Sequence, residues 1–149
     1  VHPGLGNLSP VNVVLMLGHV NAAPYIVFIA RIGDNTIHTL KILIAEGCTH
    51  HRQCNDIGTV KMPSWIENFT GAKPQFSFTS GASFPEDLSE YKLIVHCGGC
   101  MLNEKEMKRR MNCAQENEIP IVNYGVAIAH MNGILKRSLK PFSDVYNMI

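Results

Sequence analysis

The sequence predicts an α/β fold over residues 40–149: a mostly parallel four-stranded sheet flanked by helices, with a divergent segment over residues 1–39 ahead of it. Three observations lead there. Short apolar, β-rich runs alternate with stretches of helical spacing, the order produced by crossover connections between parallel strands. The run over residues 92–96 is apolar in its middle and stops at Cys97-Gly98-Gly99-Cys100. Soon after that loop comes the best helix signal in the chain, residues 104–116.

Taken in order, residues 41–45 form a short β-rich run that ends at Gly47-Cys48. A weaker helical stretch covers 63–69, where Pro63 is tolerated in a first turn. Residues 76–78 read as a second strand and 92–96 as a third. The helix over 104–116 has Asn103 as its cap and Glu106 three residues later, as in a capping box. Met107, Met111 and Ala114 line one of its faces. Residues 119–123 make a fourth strand, and 127–139 make a last helix stopped by Pro141. In the leading segment, 1–10 is rich in Gly and Pro and reads as loop. Residues 11–17 and 25–30 are strand-like, with a turn over 21–24. Parallel sheets collect ligands at the carboxyl ends of their strands. Cys48, Cys97 and Asn123-Tyr124-Gly125 each follow a strand, so parallel strands would set all three along one edge.

The composition narrows the function classes. Hydrophobic residues make up 46% of the 149 and charged residues 17%, as in an ordinary globular protein. A net charge of +1 gives no electrostatic reason to expect nucleic acid as a partner. The longest apolar runs, 13–17 and 25–30, fall far short of the roughly 18 residues a membrane helix needs, so no membrane partner is expected either. No secretory leader is visible, which makes the cytoplasm, or an organelle in an anaerobic eukaryote, the expected compartment. The first residue is Val1, as in a fragment, a processed chain or an excised domain.

Five cysteines are an odd count for a disulfide framework, and a domain of this size does not require such staples. A metal or redox role therefore comes first. In His96-Cys97-Gly98-Gly99-Cys100, two thiols three positions apart can face one metal or cluster. The glycines let the backbone turn tightly and bring N–H groups near bound sulfur. The helix that follows points its positive end at the loop, which favours thiolate. One such pair cannot complete a four-ligand site. Cys48-Thr49-His50-His51, with Cys54 and Asp56 beyond, supplies the rest. Cys48, Cys97 and Cys100 then provide three thiolates, with His50, His96, Cys54, Asp56 or an external ligand in the fourth place. Spacing alone suits zinc as well as iron and sulfur.

Plainer readings stand beside this one. Cys97 and Cys100 could be small buried residues at a turn, or a redox pair in a strand, Cys-x-x-Cys, helix arrangement. The redox reading leaves Cys48 and His50 unexplained, and Ile119-Pro120-Ile121 follows the helix too closely for the proline loop of thioredoxin-like proteins. Cys113 reads as structural, Trp65 as packing for its helix, and His2, His19, His38 and His130 as surface or core residues.

Two signatures carry a family resemblance. One is Ile44-Ala45-Glu46-Gly47-Cys48-Thr49-His50-His51, followed by Asp56-Ile57-Gly58-Thr59-Val60-Lys61-Met62-Pro63. The other is His96-Cys97-Gly98-Gly99-Cys100-Met101-Leu102-Asn103, and Ile119 to Ala129 continues the likeness. Over about residues 40–142 the chain resembles the cluster domain of the HydF family, scaffolds that mature FeFe-hydrogenases. The family pattern of Cys-x-His, then His-Cys-x-x-Cys some 45 to 50 residues later, is met by Cys48, His50, His96, Cys97 and Cys100.

The resemblance implies a 4Fe-4S cluster held by Cys48, Cys97 and Cys100, with His50 and His96 as candidate fourth ligands or supporting groups. It implies a scaffold rather than an enzyme, one that carries a transient diiron precursor of the hydrogenase active site. It also implies a homodimer or homotetramer that docks to the FeFe-hydrogenase and to radical-SAM maturases. The family's GTPase domain is not matched, since these residues contain no Gly-x-x-x-x-Gly-Lys-Ser/Thr loop. Residues 1–39 only faintly resemble the end of the family's dimerisation domain. The rivals are a structural zinc domain, a thiol–disulfide oxidoreductase using Cys97 and Cys100, and an oligomerisation module with vestigial ligands.

Overall fold

A computed structural model describes residues 40–49, 54–141 and 143–146. The strand-like segments and turn read within 1–39, and His50 and His51, lie outside the described residues. The described chain is an α/β fold whose four strands are all parallel: β1 (Lys41–Ala45), β2 (Gln75–Thr79), β3 (Leu93–His96) and β4 (Ile121–Asn123), in the spatial order β2-β1-β3-β4. The helices are α1 (Met62–Thr70), α2 (Glu104–Glu116), α3 (Tyr124–Met131), α4 (Leu135–Ser138) and α5 (Ser143–Tyr146).

The strands read as near-continuous apolar runs because both sheet faces are covered. Ile42, Ile44, Leu93, Val95 and Val122 point to one face and pack with Met62 and Ile66 of α1 and Ala127 of α3. Leu43, Ala45, Ile94 and Ile121 point to the other, against Ala114 of α2 and Phe84, Leu88 and Tyr91 of the β2–β3 connection. Side chains alternate across a strand, so each run feeds both cores at once. Each fully buried Ile or Leu here is worth about 1.5–3 kcal/mol. The edge strand β2 is only half-buried, as its alternating Gln, Phe, Ser, Phe and Thr suggest.

The α2 helix has the expected bounds. Asn103 Oδ1 accepts the Glu106 N–H at 2.9 Å, and the Glu106 carboxylate turns to Arg109 and Arg110. The chain leaves α2 with Glu118 at φ 56°, where its N–H donates to Gln115 O and Ile119 N–H reaches Ala114 O. These are the two bonds of a Schellman ending, formed here around a residue that carries a Cβ.

Three elements differ from the sequence expectation: the strand expected over 119–123 begins only at Ile121, because Ile119 N–H is spent closing α2, and two helices differ as well. The helix expected over 63–69 begins at Met62 and is preceded by a π-helical turn, Ile57–Lys61, which Asp56 caps. The single helix expected over 127–139 is two. α3 starts at Tyr124, because Asn123 caps it through Val126 N–H at 2.7 Å. It stops at Met131 because Gly133, at φ 68°, closes a Schellman motif through Gly133 N–H to His130 O and Ile134 N–H to Ala129 O. The chain resumes as α4, whose Leu135 joins Leu139 in a small cluster with Tyr146 of α5.

The two ends of α2 supply opposite tests of this account. Asn103→Ala should lower stability by about 1 kcal/mol. Glu118→Gly should raise it by about 1 kcal/mol, because glycine takes the left-handed position freely. Urea titrations of both variants measure the two shifts.

Candidate functional site

β1 and β3 are neighbours, yet the chain leaves them toward opposite sides. After β1 it passes through α1, on one face, to the outer strand β2. After β3 it passes through α2, on the other face, to the outer strand β4. The carboxyl ends of such a pair open a crevice, the usual ligand position in a doubly wound sheet. Cys48 lies three residues past β1, and Cys97 directly follows β3.

The Cys97 loop is tied down by backbone bonds. Cys97 N–H donates to Ala45 O at 2.9 Å, extending the β1–β3 ladder by one bond. Its sulfur accepts the Gly47 N–H at 3.0 Å and the Gly99 N–H at 3.4 Å. Gly99 sits at φ 68°, and a Cβ there would come within 2.7 Å of Met107 Sδ. A Cβ on Gly47 would come within 2.6 Å of Leu102 Cγ. The two loops thus meet at glycine, where backbone N–H groups can approach a sulfur closely.

Cys97 is partly buried, and Cys48 and Cys100 both lie close enough to act on it electrostatically. Burial pushes the Cys97 thiol above its usual value, and the Gly47 and Gly99 N–H groups pull the other way. Cys48 is half-buried, Cys100 is exposed, and Cys48 borders an open cavity of about 320 Å3 lined also by Gly47, Thr49, Gly81 and Met101.

The other candidates take distinct places. Cys54 is exposed. Asp56 Oδ2 accepts the Thr59 N–H at 2.8 Å and its hydroxyl at 2.9 Å. Cys113 packs against the second core, with its thiol 3.5 Å from Glu86 O. His96 is completely buried. Arg110 Nη1 lies 3.1 Å from His96 Nε2, and His96 Nδ1 lies 2.7 Å from Cys97 O. A guanidinium only donates, so Nε2 is the acceptor and Nδ1 carries the proton. Both ring nitrogens are thereby occupied, Nδ1 in donating to the Cys97 carbonyl and Nε2 in accepting from Arg110. Among the described residues, no three His, Cys, Asp or Glu side chains converge as they would on a single metal ion.

Sequence order set Tyr124 on the cysteine edge without giving it a partner, and it missed Arg110 altogether. Tyr124 is half-buried, with its hydroxyl 3.4 Å from Glu46 Oε1. Burial, Glu46 and Cys97 together push its phenol far above the usual value, so it remains a donor. Arg110 is fully buried on α2 beside Met107 and Ala114. An arginine three residues after a core-facing methionine was the available signal.

What the structure offers a thiolate-bound group is Cys97 with two backbone N–H groups on its sulfur, Cys48 and Cys100 near it, and a cavity beside Cys48. Residues 29–141 match the family model described as the hydrogen maturase F tetramerization domain. No curated protein matches the chain.

The buried imidazole ties stability to pH. Burial lowers the His96 pKa from 6.5 to about 4, so the unfolded chain binds a proton between those values that the folded chain does not. Stability from this group is complete above about pH 6.5 and is lost as pH falls toward 4, by up to about 3 kcal/mol. Urea midpoints of the metal-free protein should fall between pH 7 and pH 5, and the fall should shrink in His96→Gln. An equal fall in the variant would remove His96 from the account.

Proposed function

The chain belongs to the hydrogen maturase F tetramerization domain family, and from that membership we propose that it binds a 4Fe-4S cluster through Cys48, Cys97 and Cys100 as a scaffold in FeFe-hydrogenase maturation. Membership itself ties the chain to hydrogenase maturation and to a family of oligomer-forming domains. The single observation that carries the finer reading is the bonding of the Cys97 sulfur. That sulfur already accepts two backbone N–H groups, from Gly47 and Gly99, at the crevice between β1 and β3. Donors of this kind stabilise thiolate charge and tune an iron–sulfur centre.

Within this reading, Cys48 and Cys97 supply thiolates from the two flanking loops and Cys100 a third from the exposed rim. When bound, the cluster offers an iron position at which a ligand from outside the chain can attach and leave. The protein's own part is to hold the thiolates in place and to leave that position reachable. The 320 Å3 cavity beside Cys48 supplies room for a small diiron precursor. With both nitrogens of His96 occupied, the fourth place is left to His50, another oxygen or sulfur donor, or the cargo. The domain acts as a carrier rather than a catalyst, self-associates as a dimer or tetramer, and docks to the hydrogenase and to radical-SAM maturases. Among the described residues no helix is long and apolar enough to cross a membrane.

Anaerobic reconstitution with iron and sulfide, followed by the visible spectrum and metal analysis, tests the proposal. The expected product is brown, with about four irons and four sulfides. It should be lost in Cys48→Ser and Cys97→Ser and kept in Cys113→Ser. A colourless protein retaining about one zinc, or a cluster indifferent to Cys97→Ser, would overturn it.

A further inference from the structure

Arg110 has no exposed surface at all. A guanidinium in that position loses its hydration and must use its donors within the protein. Three atoms do so: Nε donates to Glu106 Oε1 at 2.7 Å, Nη1 to His96 Nε2 at 3.1 Å, and Nη2 to Gly81 O at 2.6 Å. The Phe84 ring lies beside it, 5.0 Å from Cζ. Only Glu106 is an anion, and Glu106 is shared with Arg109 at 2.8 Å. An ion pair in isolation would not explain this placement, since apolar side chains of similar volume commonly fill such positions as well or better.

The two bonds to neutral groups both lead to the cysteine loops. His96, held by Nη1, passes the contact to Cys97 O through its own Nδ1–H at 2.7 Å. Gly81, held by Nη2, lies so close to Thr49 that a Cβ there would come within 2.7 Å of Thr49 Cγ2. Thr49 is the neighbour of Cys48. One planar fork therefore spans from the loop after β3 to the loop that backs Cys48. A lysine, with a single point of charge, cannot span those acceptors in the same geometry.

We propose that Arg110 is a positioning residue for the thiolate site: it fixes the loops of Cys97 and Cys48 relative to each other. The role toward a cluster rests on the reading in the preceding subsection. The fixing of the loops is a property of the chain without metal.

Cysteine alkylation at one fixed pH, followed by mass spectrometry on the full metal-free chain, separates local from global effects. Cys113 sits on the same helix, three residues from Arg110, and serves as the internal reference. In Arg110→Lys and Arg110→Gln, Cys97 should be alkylated about tenfold faster, the scale of losing a hydrogen bond to a charged donor. Cys113 should keep its rate. In the reconstituted protein a chelator should remove the cluster faster from both variants than from the unmodified chain. An unchanged Cys97 rate, Cys97 and Cys113 rising together, or a cluster released no faster in either variant each overturns the assignment. If the unmodified chain takes up no iron and sulfide, the cluster reading falls, and the alkylation contrast alone decides whether Arg110 fixes the loops.

Discussion

Two adjacent parallel strands that send their chains in opposite directions set the terms for everything else in this domain. β1 and β3 share a register in which Ala45 lies opposite His96. Beyond that pair, one chain turns toward α1 and the other toward α2. Such a divergence is where a doubly wound sheet opens a crevice for a ligand. A residue just past either strand is held by the ladder at one end and is free to face a ligand at the other. Cys97 shows the arrangement, with its N–H bonded to Ala45 and its sulfur turned to Gly47 and Gly99.

The crevice is built from loops, which alone would hold thiolates loosely. Stiffness comes from behind. His96 is the last residue of β3, and its ring is buried beneath the cysteine it supports. Its neutral state follows from the same burial that isolates it, and that state leaves one nitrogen to accept from Arg110 and one to donate to Cys97. Glu106, held down to about 2 by Arg109 and Arg110, keeps the guanidinium from being an unpaired buried charge. A polar chain, Glu106–Arg110–His96, thus runs from the partly exposed carboxylate past Phe84 of the second core to the site.

The proposed carrier role asks for a different balance from a catalyst's. The described residues around Cys97 fix one sulfur firmly, while Cys100 is exposed and Met101 lies open at the rim with 66% of its surface accessible. Firm binding at the base and access at the rim are what a group that must be loaded and then released requires. Tyr124 and Glu46, paired beside the same loop, add a donor and an acceptor at its other flank.

Much of this was legible in the chain before folding. Apolar runs marked β1, β2 and β3 to within a residue or so, and Asn103 with the periodicity after it marked both ends of α2. Those signals are local, since a strand run or a cap is written in residues that touch within a few positions. The cysteine spacing that pointed to Cys48, Cys97 and Cys100 is a signal of the same local kind. Where a local rule was under-read, as at Asn132-Gly133, the break between α3 and α4 was missed although its chemistry stood in the sequence. The tertiary structure alone decided the rest. Strand order placed Cys48 and Cys97 at one crevice, although they are 49 positions apart in the chain. The partners of Arg110 stand 14 and 29 positions away, at His96 and Gly81, and no spacing rule reaches that far. His96 appeared in the sequence as one more imidazole beside cysteines. Only the fold, by burying it and giving each nitrogen a partner, made it a support for the site.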